Sequence, residues 1–132
     1  RLTRLYRPYH AAYADLANKM TDPVICAVHS FTPRLRGRAP RPWDIGILYA
    51  DDDRLAMPLL EACRAQGWVT GANQPYAGHL PGDAVDRHAL LHGRPNVLLE
   101  LRQDQIADEE GQKRWADQLA PILTDVLAAS GL

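Results

Sequence analysis

Residues 96–101 read NVLLEL, a short apolar run that carries one carboxylate, Glu100, close to its carboxyl end. Apolar runs of this length between turn residues are typical of buried β-strands. Two similar runs precede it, VICAV at 24–28 and IGILY at 45–49. Because an ionised group is costly inside a buried strand, Glu100 needs a partner or a function. It is the first candidate functional residue.

Helical patterns separate these strands. Apolar residues recur every three or four positions over 2–20, where Pro8 interrupts the pattern, over 55–67 and over 108–129. Asp51 or Asp52 is predicted to cap the second of these helices, and Asp83 a brief helix that runs to Leu91. A short strand is expected at 68–71, and the strand at 24–28 is expected to be buried on both faces. Strands alternating with helices predict an α/β sandwich, with ligands beyond the carboxyl ends of the strands.

Composition limits the classes of protein that fit. The 132 residues, 46% of them hydrophobic, suffice for one domain, 1–132, with one core. The formal net charge is -1 without long blocks of either sign, which disfavours nucleic acid and membrane surfaces as partners. No apolar run reaches the roughly 20 residues of a membrane-spanning helix. Cys26 and Cys63 have no CxxC spacing and suit a reducing compartment, so we expect a soluble, cytoplasmic protein.

His29 and Glu100 both stand where an apolar strand ends. A neutral imidazole there can bind a divalent metal, and a carboxylate on a neighbouring strand can take a proton from water. The alternative is a histidine hydrogen-bonded in the core and a glutamate paired with Arg102. From residue types alone, both interpretations remain open.

Three segments resemble consecutive signature blocks of the N-formylglutamate amidohydrolase family. These blocks are VHSFTPRLRGRAPRPWDIGILY, NQPYAGHLPGDAVDRHAL and NVLLELRQDQI, and RLYRPYHAAY resembles the helix that precedes them. The resemblance implies zinc-dependent hydrolysis of the amide of an N-acylated acidic amino acid, with N-formylglutamate giving glutamate and formate. A role in histidine catabolism would follow. More distantly, His-Ser and Glu-Leu-Arg at strand ends resemble the zinc carboxypeptidases.

The resemblance also implies a fold and a site. The fold would be a three-layer α/β sandwich with a mixed β-sheet flanked by helices, as in zinc exopeptidases and phosphorylase/hydrolase-like proteins, lacking its amino-terminal half. His29 would be a ligand of Zn²⁺ or another divalent metal, and Glu100 the general base. The other metal ligands would precede residue 1. A chain limited to these residues would then be an inactive part of an active hydrolase.

A substrate with carboxylates calls for arginine partners, because guanidinium binds carboxylate with a planar fork. Arg102, two residues beyond Glu100, and Arg87, beside His88, are the candidates. The arginines of the proline-rich loop at 32–43 are expected to be exposed and solvated. Neither His79 nor His88 is chosen as a ligand, and the loop aromatics Trp43 and Tyr76 are expected to be packing anchors more often than pocket walls.

Two functions compete. The leading one is the metal-dependent amidohydrolase, whose partner is a small acylated amino acid. The alternative is a non-catalytic binding or assembly fragment of the same fold with an incomplete metal site. An exposed sheet edge would favour self-association into a homo-oligomer or pairing with the missing amino-terminal segment.

Overall fold

A four-stranded mixed sheet forms the centre of the computed structural model, which describes residues 2–78 and 80–132. Its strands are β1 (Ile25–Phe31), β2 (Ile45–Leu48), β3 (Thr70–Ala72) and β4 (Asn96–Arg102), in the spatial order β1-β4-β2-β3. β1 runs parallel to β4, β2 runs antiparallel to β4, and β3 runs parallel to β2. The NVLLEL run therefore lies in a central strand, and the predicted mixed sheet is confirmed.

Four α-helices accompany the sheet in the described part of the chain. They are α1 (Arg7–Lys19), α2 (Ala56–Ala65), α3 (Ala84–His88) and α4 (Glu109–Ser130). A π-helical turn at Leu2–Tyr6 precedes α1, and 3₁₀ turns occupy Leu90–His92 and Gln103–Ile106. The helical patterns read from the sequence are thus confirmed, with boundaries that differ by a few residues.

Two of the predicted helix starts differ in outcome. Asp83 caps α3 as predicted, since its carboxylate accepts a hydrogen bond of 2.7 Å from the amide of Asp86. The cap predicted for α2 is wrong, because that helix begins at Ala56 without a side-chain cap. Asp52 instead binds the amide and the guanidinium of Arg54.

The larger core lies between one sheet face and helices α2 and α4. Odd-numbered residues of β2 and β4 point to this face, as strand alternation requires, and they include the fully buried Ile45, Ile47 and Leu99. Leu59 of α2 and Trp115 of α4 pack against them. The smaller core lies on the opposite face, where Val85 of α3 and Ala89, the residue that follows this helix, pack against Ile25, Leu48 and Leu98. The result is an α/β fold with helices on both sheet faces.

β1 does not match the expectation of a strand buried on both faces. It pairs with β4 on one side only, and its residues are mostly exposed between the buried Ile25 and Phe31. Val28 is 60% exposed and borders an open apolar groove shared with Trp115 and Leu119. The prediction fails because β1 is an edge strand in this structure and, among the described residues, no helix covers Val28.

Within the described residues, no helix is both long enough and apolar enough to cross a bilayer. The longest, α4, has a polar face and a proline at position 121.

Candidate active site

The carboxyl ends of β1 and β4 bring His29 and Glu100 together. The two residues are directly paired in the parallel register, so their side chains project from the same sheet face. Nδ1 of His29 lies 3.7 Å from Oε1 of Glu100, too far for a direct hydrogen bond but close enough for an ion pair if the ring is protonated. Two residues far apart in the sequence thus form one polar site.

Glu100 is the unusual member of the pair. The residue is only 5% exposed, and its Oε2 has no hydrogen-bond partner among the described residues. Burial raises the pKa of Glu100, against the opposing positive charges of His29 and Arg41. Unpaired buried polar atoms are rare and expensive in folded proteins, and perturbed carboxylates concentrate at functional sites. The carboxylate has an acceptor oxygen ready for an incoming donor.

His29 is the accessible member. Its side chain is 56% exposed, whereas that of Glu100 is 7% exposed, so a ligand can reach the imidazole from solvent. Catalytic zinc takes three protein ligands and an open position. No group of three histidine, cysteine or acidic side chains able to hold a metal occurs in the described part of the chain. The described residues therefore provide one imidazole and one carboxylate, short of a complete metal centre.

A backbone segment closes over the sheet next to Glu100. A Cβ placed on Gly46 would lie 2.1 Å from the carbonyl oxygen of Gln74 and 3.4 Å from Cβ of Glu100. Gly46 is the register partner of Glu100 on β2. The absence of a side chain at position 46 thus lets the loop after β3 lie against the site, which forms a wall beside the carboxylate.

Arg41 is held in the same region by contacts that the sequence did not reveal. Its Nη1 donates to the carbonyl of Thr32 and to the hydroxyl of Tyr76, both at 3.1 Å. The guanidinium carbon lies 5.0 Å from the centroid of the Tyr76 ring and 5.8 Å from that of Phe31. The expectation of solvated loop arginines fits the exposed Arg34, but it is wrong for the half-buried Arg41.

The predicted carboxylate clamps engage other partners. Arg102 shares the strand face of Glu100, yet its Nε binds Asp104 at 2.9 Å and its Nη1 lies 3.5 Å from Asp44. Among the described residues it forms no ion pair with Glu100, so the alternative of a Glu100–Arg102 pair is not observed. Arg87 donates to the hydroxyl of Tyr6 at 3.0 Å and lies over its ring. A substrate role for either arginine remains a prediction.

The other candidate residues have separate surroundings. His88 is buried between α1 and α3, where its Nε2 lies 2.7 Å from Nδ1 of His10 and its ring stacks on Tyr13 at 4.3 Å. His88 is therefore a packed core histidine. Trp43 lies against Gly71, which suits a packing anchor. His79 lies outside the described residues.

The chain is similar to one protein family and to solved structures. A sequence model of the N-formylglutamate amidohydrolase family matches residues 1–107. The structure of gene product Atu2144 from Agrobacterium tumefaciens is 32% identical, with a TM-score of 0.82, over 99% of this chain and 54% of that chain. N-formylglutamate amidohydrolase from Ralstonia eutropha JMP134 is 23% identical, with a TM-score of 0.57, over 98% of this chain and 50% of that one. The second likeness concerns the fold alone.

No curated protein matches the chain significantly. The chain spans about half the length of each of these two solved structures.

Proposed function

Since the chain belongs to the N-formylglutamate amidohydrolase family, we propose that the protein to which it contributes hydrolyses the amide bond of an N-acylated acidic amino acid, with N-formylglutamate as the substrate. One observation carries the proposal. A buried carboxylate, Glu100, with one oxygen that has no hydrogen-bond partner among the described residues, stands beside an accessible imidazole, His29, at the carboxyl ends of two parallel strands. This is where α/β sheets bind their ligands.

Glu100 acts as the general base. Its raised pKa makes it a stronger proton acceptor than an exposed glutamate, which suits the removal of a proton from the attacking water. Water adds to the formyl carbon, the carbon–nitrogen bond breaks, and the proton held by Glu100 passes to the leaving amine. The products are formate and glutamate, and the carboxylate returns to its starting state.

His29 is proposed as a metal ligand through its exposed ring. When bound, Zn²⁺ or another divalent ion would polarise the carbonyl and acidify water. The two further ligands that such a centre needs would come from outside the described residues, since these offer no cluster of three donors. Cytoplasmic location and a place in histidine catabolism belong to the same proposal.

The test is hydrolysis of N-formylglutamate by the purified protein that contains this chain, followed as release of formate and of free amine. Glu100→Gln should lower kcat by at least about 100-fold, as loss of a general base typically does. His29→Ala should lower both turnover and bound metal, measured by elemental analysis. Glu61→Gln and His92→Ala change exposed residues of the same types and should behave like the wild type.

The alternative function is a non-catalytic binding or assembly module. The incomplete donor set of the described residues favours it. Measurement of the bound metal distinguishes the hydrolase from the binding module. A stoichiometric divalent ion that is lost in His29→Ala supports the hydrolase, whereas a protein without metal and without turnover supports the module.

A further inference from the structure

Arg41 presents an organised donor edge beside the candidate active site. Its Nη1 makes both of the hydrogen bonds that fix the guanidinium, one to Thr32 and one to Tyr76. The rings of Tyr76 and Phe31 lie close to the cationic carbon, which cation–π attraction favours. The side chain is therefore held in place by anchors that leave much of its hydrogen-bonding capacity unused.

The unused donors form the carboxylate-binding edge of the group. Within the described residues, neither Nε nor Nη2 of Arg41 donates a hydrogen bond, and no acidic group pairs with its charge. Arginine binds carboxylates bidentately through two parallel N–H groups, and a fork already fixed by its surroundings loses less entropy on binding. By contrast, the guanidinium of Arg102 is already committed to Asp44 and Asp104.

Arg41 also lies on the correct side of the sheet. Phe31, under its guanidinium, is two residues beyond His29 on β1 and shares its face, because strand side chains alternate. The positive charge of Arg41 is close enough to favour ionisation of Glu100. No ion pair joins these two side chains in the described structure, so the charge of Arg41 is not neutralised by the catalytic carboxylate.

We propose that Arg41 binds the α-carboxylate of the N-acyl amino acid and that Tyr76 positions the guanidinium of Arg41. The ligand class rests on the proposed function. The α-carboxylate is the expected ligand because it is attached to the carbon that bears the scissile nitrogen. It therefore lies within a few bonds of the nitrogen that Glu100 protonates. The side-chain carboxylate of the substrate extends further and would meet another partner.

The experiment measures binding of L-glutamate, the product, to the full-length protein by titration calorimetry, without relying on turnover. Isoglutamine, with an amide at the α-position, and glutamine, with an amide on the side chain, identify which carboxylate is recognised. The wild type should bind glutamate more tightly than isoglutamine. Arg41→Met should raise the Kd for glutamate by about 10- to 100-fold and remove this preference, as expected for a lost charge-assisted hydrogen bond.

Matched variants make the result specific. Arg36→Met removes an exposed arginine from the same loop and should leave the Kd unchanged. Arg41→Lys keeps the charge but not the fork and should restore little of the affinity. Tyr76→Phe removes the hydroxyl that anchors Arg41. It should raise the Kd for glutamate several-fold while keeping the preference for glutamate over isoglutamine. If Arg41→Met does not fold, as judged by circular dichroism, the Kd values of Arg41→Lys and Tyr76→Phe provide the test.

The inference is overturned if the wild type does not bind glutamate, if Arg41→Met binds it like the wild type, or if Arg36→Met weakens it equally. Turnover separates this outcome from failure of the proposed function. Binding that depends on Arg41 without release of formate from N-formylglutamate would refute the hydrolase and retain the carboxylate site. Hydrolysis whose KM is unchanged in Arg41→Met would retain the hydrolase and refute the site.

Discussion

Replacing Glu100 with glutamine should stabilise the folded protein at neutral pH while it removes the proposed base. Glu100 is 5% exposed, and its Oε2 has no partner within the described residues, so the fold contains an incompletely paired buried carboxylate. An unsatisfied buried polar group costs about 1–3 kcal/mol, with charged groups at the upper end. The neutral amide keeps the shape and lowers this penalty, although it too needs partners. We expect the free energy of unfolding of Glu100→Gln to exceed that of the wild type by about 1 kcal/mol.

The pH dependence follows from the raised pKa. Burial raises the pKa of Glu100 above its ordinary value, so the folded state holds this proton to higher pH than the unfolded state does. The cost of ionising Glu100 is therefore absent at low pH and appears as pH rises through the unfolded pKa and then the folded one. The advantage of Glu100→Gln should be present at pH 7 and should shrink towards zero near pH 4.

Thermal unfolding by scanning calorimetry between pH 4 and pH 8, with a chelator present, measures this difference. For a chain of 132 residues, 1 kcal/mol corresponds to about 3–5 °C in Tm. Glu61→Gln, at an exposed helical position, should shift Tm by less than about 1 °C. A variant that is less stable than the wild type at pH 7, or a gain that does not vary with pH, would refute the reasoning.

Three further predictions concern parts of the fold around the site. Gly46→Ala places a Cβ 2.1 Å from the backbone oxygen of Gln74, so it should cost about 1–3 kcal/mol in urea unfolding and displace the loop beside the carboxylate. Burial, and to a smaller extent the nearby charge of His10, lowers the pKa of His88. The stability that neutral His88 contributes is therefore full above its ordinary pKa of 6.5 and is lost as pH falls below that value. The decline in Tm from pH 7 to pH 5 should accordingly be smaller in His88→Phe than in the wild type. Asp108→Ala removes the side-chain cap of α4 and should cost about 1 kcal/mol in the same urea assay.

Exposed positions provide the controls for these three variants. Ala65→Ser and Asp125→Ala alter exposed residues without a comparable contact and should change stability by less than about 0.5 kcal/mol. His92→Phe removes a smaller cause of the lowered pKa of His88 than burial or His10, so it should reduce the decline in Tm less than His88→Phe does. An unchanged urea midpoint in Gly46→Ala would mean that the loop moves freely away from the sheet. An equal decline with pH in the wild type and His88→Phe would remove the histidine pair as the source of acid sensitivity.

The sequence by itself determined the order of strands and helices and the two polar residues at the ends of β1 and β4. These features are local: apolar runs predict buried strands, periodic apolar residues predict helices, and an ionisable group at the end of an apolar run is conspicuous without any knowledge of its neighbours. The cap at Asp83 was equally readable, because capping needs only the next few residues.

Tertiary structure decided what those residues meet. Register, not composition, places His29 opposite Glu100, and the edge position of β1 exposes a face that its apolar sequence had indicated to be buried. Arg41 could not be distinguished from the other loop arginines, since its anchors come from Thr32 on the same loop and from Tyr76 on another loop. The physical reason is that hydrophobic periodicity acts over a few residues, whereas charge pairing and hydrogen bonding depend on which distant segments the sheet brings together.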